Sequence, residues 1–411
     1  MILACFSRYS KSFAPSQVYL IMNRTILYLL LSMNSLWAAA QTPGETYKLK
    51  ADLQAAIEQD TTAWKYQTAA VNYSFVGDHK NTLATWDKAV QSRKYSPTAA
   101  DTALLQNAEL INARDYIVNR SKEEQIIIIN EAHHNPMHRH FTAGLLKGLY
   151  EQGYRYLGLE AIEDSAINTR NYAVKESGYY TQEPEFAQLI YEARKLGFTI
   201  FGYEATEGKN GKEREIEQAQ HIQQFMKAHP GEKMIIHCGF DHVFEGEVRN
   251  WEKAMAGRLK EFTGIDPFTI DQVKFSEKSS PEFSHYLVYA TKETEPFVLI
   301  DQHASAFRGI STPVQTDLVV IHPITRYIQE RPHWRTGGRN AYQIPKSSSK
   351  TYPIQVLAYR SGEEQDGIPV DMIELSSAKD KKPLYLPAGR YTLVSRDKQY
   401  KTISKRIISV P

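Results

Sequence analysis

Apolar runs and amphipathic stretches alternate regularly between residues 125 and 271. The apolar runs predict four short strands, and the spacing around them predicts helical crossovers, as in βαβ units. The first helix has clear signals, because Asn135 can cap it, Pro136 can occupy its first position and Gly153 can end it. The predicted strands are residues 125–130, 154–160, 198–204 and 233–237, and the later helices are 184–196, 212–228 and 250–262.

This alternation indicates an α/β fold with a mainly parallel sheet and helices on both faces. Three less regular strands are expected afterwards, at residues 285–290, 296–301 and 316–322. Upstream, helical spacing occurs at residues 51–59 and 101–119.

Residues 73–90, between those two helical stretches, resemble half of a tetratricopeptide-type hairpin with Gly77 and Asp78 at its turn. A single repeat cannot bury its own face, so a helical layer packed on the main domain is expected instead. From about Tyr342 the character changes to β runs separated by Gly, Asp and Ser. These runs are residues 352–359, 369–375, 383–386 and 389–395, and they predict a small β-sandwich.

Residues 22–41 have the pattern of an export signal. Arg24 is the positive residue, an apolar stretch follows as far as Trp37, and three alanines end at Ala40. The stretch is shorter than the roughly 20 residues of a membrane span. We therefore expect a start at Met22 and an exported mature protein, periplasmic or extracellular, with no stable membrane span after signal removal.

These patterns divide the chain into four predicted segments. They are an upstream extension with signal peptide (1–40), a helical segment (41–120), an α/β domain (121–336) and a C-terminal β-sandwich (337–411). The formal net charge of +2 is too small to indicate a nucleic-acid partner. Cys5 lies in the segment expected to be removed, which leaves Cys238 alone and predicts no internal disulfide.

Titratable side chains follow each of the first four strands at the edge where the strand ends. They are Glu131, His133, His134 and His138, then Glu160, then Glu204, and finally His237, Asp241 and His242. Open α/β sheets bind their ligands outside the carboxyl ends of the strands. Since a buried carboxylate is costly unless it is paired, their convergence indicates mutual pairing, a metal or a bound ligand.

Two kinds of chemistry fit this set of side chains. A histidine oriented by a carboxylate can act as a general base on water. Alternatively, Glu131, His133 and His242 can hold a divalent metal that lowers the pKa of water. The sequence contains no HExxH, Walker A, Rossmann glycine or GxSxG pattern.

The order of these motifs resembles the superfamily that joins erythromycin esterases, ChaN-like haem-binding proteins and Tiki/TraB-type metalloproteases. That superfamily has a G-E-x-H element after its first strand, a Glu after its second, and a later G-x-x-H element. Glu131 and His133 match the first element and Glu160 the second. Gly239 and His242, in GFDH, match the third.

Two further segments carry the resemblance, which covers residues 125–262. The NPMH run with His138 is similar to the ChaN-like pattern, and KEREIEQAQHI with Arg214 is similar to the Arg-containing helix of erythromycin esterases. Asn130 departs from the pattern, because it stands where the superfamily has its first glycine. If positive φ is needed there, Asn is the next most tolerant residue.

The resemblance implies the fold and the site, but its members differ in chemistry. The esterases are implied to use His and Glu on water without a metal. The Tiki type is implied to use a divalent metal such as Mn, Co or Zn, and ChaN-like proteins to bind haem.

Our first hypothesis is an exported hydrolase that activates water, with or without a divalent metal, on a small-molecule ester or amide. The expected catalytic residues are Glu131, His133, Glu160 and His242, and the expected substrate contacts are Arg214, Glu204 and His138. The alternative is a haem- or iron-binding protein, in which haem would need a shared surface or a homodimer and an axial His or Tyr. A third hypothesis, a pure interaction module, predicts that the sheet-edge cluster is dispensable.

Overall fold

An eight-stranded sheet organises the protein in a computed structural model that describes residues 45–345, 351–363 and 365–411. The expected export signal lies outside these residues. Residues 48 to 411 belong to a single unit. The helices of the described chain are α1 Lys50–Gln59, α2 Lys65–Phe75, α3 His79–Val90, α4 Ala99–Asn107, α5 Ala113–Arg120, α6 Pro136–Glu151, α7 Ile167–Arg170, α8 Pro184–Leu196, α9 Gly211–Ala228, α10 Met255–Thr263 and α11 Tyr286–Tyr289.

The strands follow the βαβ pattern in the first half of the sheet and are antiparallel near the C-terminus. They are β1 Glu109–Asn112, β2 Ile126–Glu131, β3 Tyr154–Leu159, β4 Thr199–Gly202, β5 Lys233–Gly239, β6 Glu247–Val248, β7 Glu252–Lys253, β8 Phe268–Phe275, β9 Phe297–Ile300, β10 Leu318–Ile321, β11 Tyr327–Ile328, β12 Arg331–Pro332, β13 Asn340–Tyr342, β14 Ile354–Arg360, β15 Asp371–Leu375, β16 Leu384–Leu386, β17 Gly389–Arg396 and β18 Thr402–Val410.

The large sheet has the order β1-β9-β10-β8-β2-β5-β3-β4. All pairs from β10 to β4 are parallel, and only β9 runs antiparallel to its neighbours β1 and β10. The predicted α/β class with a mainly parallel sheet is therefore confirmed.

Helices cover both faces of this sheet. Ile126 and Ile128 of β2 belong to one apolar core with Ile222 of α9 and Leu259 of α10. Successive side chains of a strand alternate between faces. The opposite face is covered by α6 and α8, whose Phe186 meets the ring of His237 edge-on with centroids 5.8 Å apart.

Three sequence-based element predictions need correction, and one strand was not predicted. The segment predicted as a strand at residues 285–290 is the short helix α11, whose first turn is capped by the His285 side chain. The predicted helix 101–119 is interrupted by β1, which pairs with β9. The predicted helix 250–262 begins only at Met255, because residues 247–253 form a β6-β7 hairpin. Strand β8 was not predicted, since its mixture of polar and apolar residues hides a strand that the sheet buries.

The flanking segments follow the expected pattern. The α2-α3 hairpin turns at Gly77, whose φ of 70° favours glycine, and the Asp78 side chain accepts the backbone N–H of Asn81 to cap α3. At the other end, β15-β14-β17-β18 and β13-β16 form two small antiparallel sheets. Their shared core includes Val356 and Leu386. No helix among the described residues is long and apolar enough to cross a bilayer.

Candidate functional site

The strand register brings the predicted residues to one edge of the sheet. Glu131 of β2 is paired with Gly239 of β5, and Leu159 of β3 is paired with His237 of β5. Glu160 directly follows Leu159, so the two carboxylates flank the end of β5. The convergence that the sequence predicted is thus a consequence of parallel pairing.

Glu131 is a buried carboxylate with partners on both oxygens. Arg139 binds it in a bidentate fashion, with Nε 2.6 Å from Oε2 and an Nη 2.7 Å from Oε1. His237 Nε2 donates to Oε2 over 3.0 Å. Burial alone would raise the pKa of Glu131, but Arg139 outweighs it and holds the pKa well below its usual value. Glu131 is therefore ionised at neutral pH.

His133 is the histidine that Glu131 orients. Its Nδ1 lies 2.9 Å from Oε1 of Glu131 and donates to the carboxylate. The proton on Nδ1 leaves Nε2 with a lone pair. The ring stacks on Tyr180, with centroids 4.1 Å apart, and its side chain remains 18% exposed. It is thus oriented, partly open to solvent and able to accept a proton.

Gly239 gives the imidazole its place beside Glu160. A β-carbon on Gly239 would lie 2.5 Å from His133 Nε2 and 3.2 Å from Glu160 Oε2. Its φ of −86° is available to any residue, so the glycine is needed for space and not for backbone conformation. The backbone N–H of Gly239 also donates to Glu160 Oε2 over 2.5 Å.

Glu160 is paired with Arg214, the α9 arginine that the sequence singled out. Arg214 also contacts Glu204, with Nε 2.9 Å from Oε1, and donates to His242 Nε2 over 2.7 Å. Burial raises the pKa of Glu160, but the attraction of nearby positive charge, with Arg214 in direct contact, outweighs it and lowers the pKa to about 2. The structure thus joins three predicted residues, Glu160, Glu204 and His242, around the guanidinium of Arg214.

His242 is held by a second carboxylate. Its Nδ1 donates to Glu215 over 2.8 Å, and Glu215 also accepts the backbone N–H of Met255 at the start of α10. An arginine nitrogen can only donate, so Nε2 of His242 is an acceptor toward Arg214. The ring stacks on Trp251 with centroids 5.0 Å apart.

Asn130 has a different role from the one that the missing glycine suggested. It lies within β2 and is not among the residues with positive φ, so the left-handed backbone that Asn would tolerate is not needed here. Its amide nitrogen donates to the carbonyl of Phe240 over 2.9 Å and to Asp271 over 3.0 Å. Its side-chain oxygen accepts the backbone N–H of Gln272 over 2.8 Å. Asn130 therefore ties the ends of β2, β5 and β8 together.

Phe240 has a left-handed backbone next to the end of β5. Its φ of 42° lies in the left-handed region, which is unfavourable for a side chain of this size. Its ring meets His133 at 90° with centroids 5.1 Å apart, and it stacks on Trp86 of α3. The helical hairpin thus contributes Trp86 to the aromatic contacts beside His133.

His138 and His134 lie beside the edge of the sheet that carries Glu131 and Glu160. His138 Nδ1 accepts the backbone N–H of Ala132 over 3.0 Å, and its Nε2 lies 2.6 Å from Ser276 Oγ. Both ring nitrogens of His138 therefore hold the loop between β2 and α6. His134 stacks on Trp86 with centroids 3.9 Å apart, and Asp241 is exposed.

Several residues that complete the site give no signal in the sequence. Arg139 and Glu215 are adjacent to residues that were noticed, but nothing in a single sequence distinguishes a buried partner from a solvated helix residue. Arg139 lies one position after His138, and Glu215 one position after Arg214. Tyr180, Phe240 and Trp86 come from elements far apart in the chain, and only the fold reveals them.

The donor set does not fit a divalent metal. Among the described residues, no group of three or more His, Cys, Asp or Glu side chains is arranged so that it could hold one. The atoms proposed as ligands on Glu131 and His242 are engaged by Arg139, His237, Arg214 and Glu215. Haem finds no axial ligand in His138, because neither of its ring nitrogens is available.

Comparison with known proteins gives weak matches only. No protein-family model and no curated protein matches the chain. The type III effector HopBA1 aligns with a TM-score of 0.30 at 13% identity, over 44% of this chain and 94% of that one. RRSP, a MARTX toxin effector domain from Vibrio vulnificus CMCP6, aligns with a TM-score of 0.28 at 16% identity, over 51% of this chain and 44% of that one. At these values no property of either protein is carried over.

Proposed function

We propose that this protein is an exported hydrolase that activates water at the Glu131–His133 pair without a metal and cleaves an ester or amide. The observation that carries the proposal is the orientation of His133. Glu131 fixes its Nδ1, which directs Nε2 to the Gly239 backbone beside Glu160. A general base needs this combination of an oriented ring and a nitrogen with a free lone pair.

Each residue has a role that its contacts support. His133 Nε2 takes the proton of the attacking water, and ionised Glu131 stabilises the imidazolium that forms. Glu160, with its pKa lowered to about 2, remains a carboxylate and accepts a hydrogen bond from the water. Arg214, which pairs with Glu160, can stabilise the oxyanion that develops on the substrate.

The buried partners keep these groups in position. Arg139 and His237 fix Glu131, and Glu215 fixes His242 against Arg214. A preorganised site of this kind loses little free energy to reorganisation when charge develops in the transition state.

Substitution of His133 tests the proposal. Purified protein is assayed against a panel of p-nitrophenyl esters and amides in the presence of EDTA, with His133→Gln compared with the wild type. We expect His133→Gln to lower kcat by about 100-fold or more, because general-base catalysis contributes that much. His303→Gln is the matched control, since His303 is an exposed histidine remote from the sheet edge in sequence.

Unchanged turnover in a folded His133→Gln protein contradicts the proposal, and so does a wild type that hydrolyses no member of the panel. Glu131→Gln is a less clean test, because it leaves the buried guanidinium of Arg139 without its main counter-charge. Far-UV circular dichroism of each variant separates loss of catalysis from loss of fold.

A further inference from the structure

A small cavity lies next to the catalytic edge, between the helical hairpin and the ends of β2 and β8. Its volume is about 40 Å³, enough for roughly two or three water molecules or one carboxylate group. Trp86 of α3, His134 of the β2-α6 loop, Phe240 and Lys278 are among the residues that line it. We refer to it as the His134–Lys278 pocket.

The acidic groups of this pocket already have hydrogen-bond donors. Asp87 Oδ1 accepts from the Ser92 hydroxyl over 2.6 Å, and its Oδ2 accepts from the backbone N–H of Ser279 over 2.7 Å. The Glu277 carboxylate accepts from the backbone N–H of Thr325 over 2.8 Å, and His79 lies 2.9 Å from it. These carboxylates are therefore committed to the structure around the pocket.

The unused polar groups of the pocket are donors. His134 is 5% exposed, and its Nδ1 has no hydrogen-bond partner within the described part of the chain. Burial lowers the pKa of His134 well below its usual value, so the ring is neutral and can donate from one nitrogen. Lys278 is partly buried and forms no direct salt bridge with a described residue, although the nearby Asp87 carboxylate attracts its ammonium. A buried donor without a partner costs about 1–3 kcal/mol, which an occupant with acceptor oxygens would recover.

Phe240 connects this pocket to the catalytic residues. Its ring stacks on Trp86, with centroids 5.7 Å apart, and its edge contact with His133 has a centroid distance of 5.1 Å. A group in the pocket is therefore separated from His133 by the width of one aromatic ring. A small molecule that spans this ring would contact both the pocket and His133.

We propose that the His134–Lys278 pocket binds a carboxylate of the substrate, whose ester or amide carbonyl is attacked at His133. The inference rests on the proposed hydrolase function and adds the substrate class, a molecule with a carboxylate a few bonds from the scissile group. The ammonium of Lys278 supplies the charge, and His134 supplies a neutral hydrogen bond. Trp86 and Phe240 enclose the aliphatic part.

Binding of a simple dicarboxylate tests this inference independently of turnover. Glutarate and its uncharged analogue glutaramide are titrated into the full-length protein by isothermal calorimetry. We expect glutarate to bind and glutaramide to bind at least tenfold more weakly. Lys278→Met and His134→Phe should each weaken glutarate binding at least tenfold, and phenylalanine preserves the stack on Trp86. Lys274→Met is the matched control, because Lys274 is an exposed lysine near the end of β8, the strand that precedes Lys278.

The outcomes separate this inference from the proposed function. Equal binding of glutaramide, or glutarate binding that both pocket variants leave unchanged, overturns the carboxylate site. Loss of hydrolysis in His133→Gln without any glutarate binding leaves the hydrolase standing and removes the pocket. Glutarate binding that depends on Lys278, with unaltered turnover in His133→Gln, supports the pocket and contradicts the hydrolase.

Discussion

At the scale of single residues, the partners of each carboxylate in the site determine its charge and its contacts. Glu131 is committed to Arg139 and to two imidazoles, so its charge orients His133 and is not free to accept a proton. Glu160 lies closer to the proposed point of attack, because it borders the Gly239 backbone and the side of His133 that carries Nε2. The two carboxylates therefore have different tasks even though both stay ionised at neutral pH.

The lowered pKa of Glu160 predicts a pH dependence of stability. Its pKa falls from 4.5 to about 2 in the folded state, because nearby positive charge, with Arg214 in direct contact, overcomes the effect of burial. The stabilisation is therefore fully present above about pH 4.5 and is lost as the pH falls through 2. We expect Glu160→Gln to reduce the free energy of unfolding by roughly 3 kcal/mol at pH 7, with this difference shrinking below pH 4.5.

Urea unfolding of both proteins between pH 2.5 and pH 7 measures that difference. Glu163→Gln is the control, because Glu163 is an exposed carboxylate in the same loop and should give a small, pH-independent change. A difference between Glu160→Gln and the wild type that stays constant down to pH 2.5 contradicts the assigned pairing.

At the scale of elements, the ends of parallel strands determine the geometry. Glu131 and Gly239 are in register. His133 therefore occupies the space that a β-carbon at position 239 would take. Strand β5 therefore determines the position of the His133 ring through the smallest of its residues.

Gly239→Ala tests this dependence. The backbone at Gly239 accommodates alanine, but the new methyl group would lie 2.5 Å from His133 Nε2 and push the ring aside. We expect kcat/KM to fall by about 100-fold, as a displacement of about 1 Å can cause, with a change in unfolding free energy of no more than about 1 kcal/mol. Gly337→Ala is the matched control, since its β-carbon would meet no atom closer than 3.8 Å. Full activity in Gly239→Ala would contradict the proposed position of His133.

The same elements show how much a sequence can reveal. The strand ends and their polar residues were predictable, because the apolar runs stop abruptly and parallel pairing brings the polar residues after them to one edge. Strand β8 and the role of Asn130 were not, because a polar strand and an amide that bridges three strands leave no periodic signal. Partners such as Arg139 and Glu215 depend on helix orientation, which a single sequence does not specify.

At the scale of the whole molecule, a buried ion network joins the catalytic edge to the C-terminal sheets. Arg139 binds Glu131 and also Glu183, which caps the start of α8. Two residues later, Glu185 is bound by Arg335 over 2.7 Å, and Arg335 also reaches Asp371 of β15. Carboxylates at a helix N-terminus are favoured by its dipole, so α8 is a natural junction for both ends of the network.

Arg335→Met is expected to lower the free energy of unfolding by about 3 kcal/mol, because removing one partner from a buried pair strands the other charges. The value lies at the low end for such changes, since Glu185 keeps Arg339 and Asp371 keeps Arg331. Arg390→Met, at an exposed arginine of β17, should change the free energy of unfolding by less than about 0.5 kcal/mol.

Urea unfolding followed by far-UV circular dichroism and by tryptophan fluorescence measures the free energy of unfolding of both variants. If the network couples the α/β sheet to the C-terminal sheets, the two probes give coincident transitions in the wild type. Separate transitions, or an Arg335→Met protein as stable as Arg390→Met, would show that the C-terminal sheets fold independently of the catalytic edge.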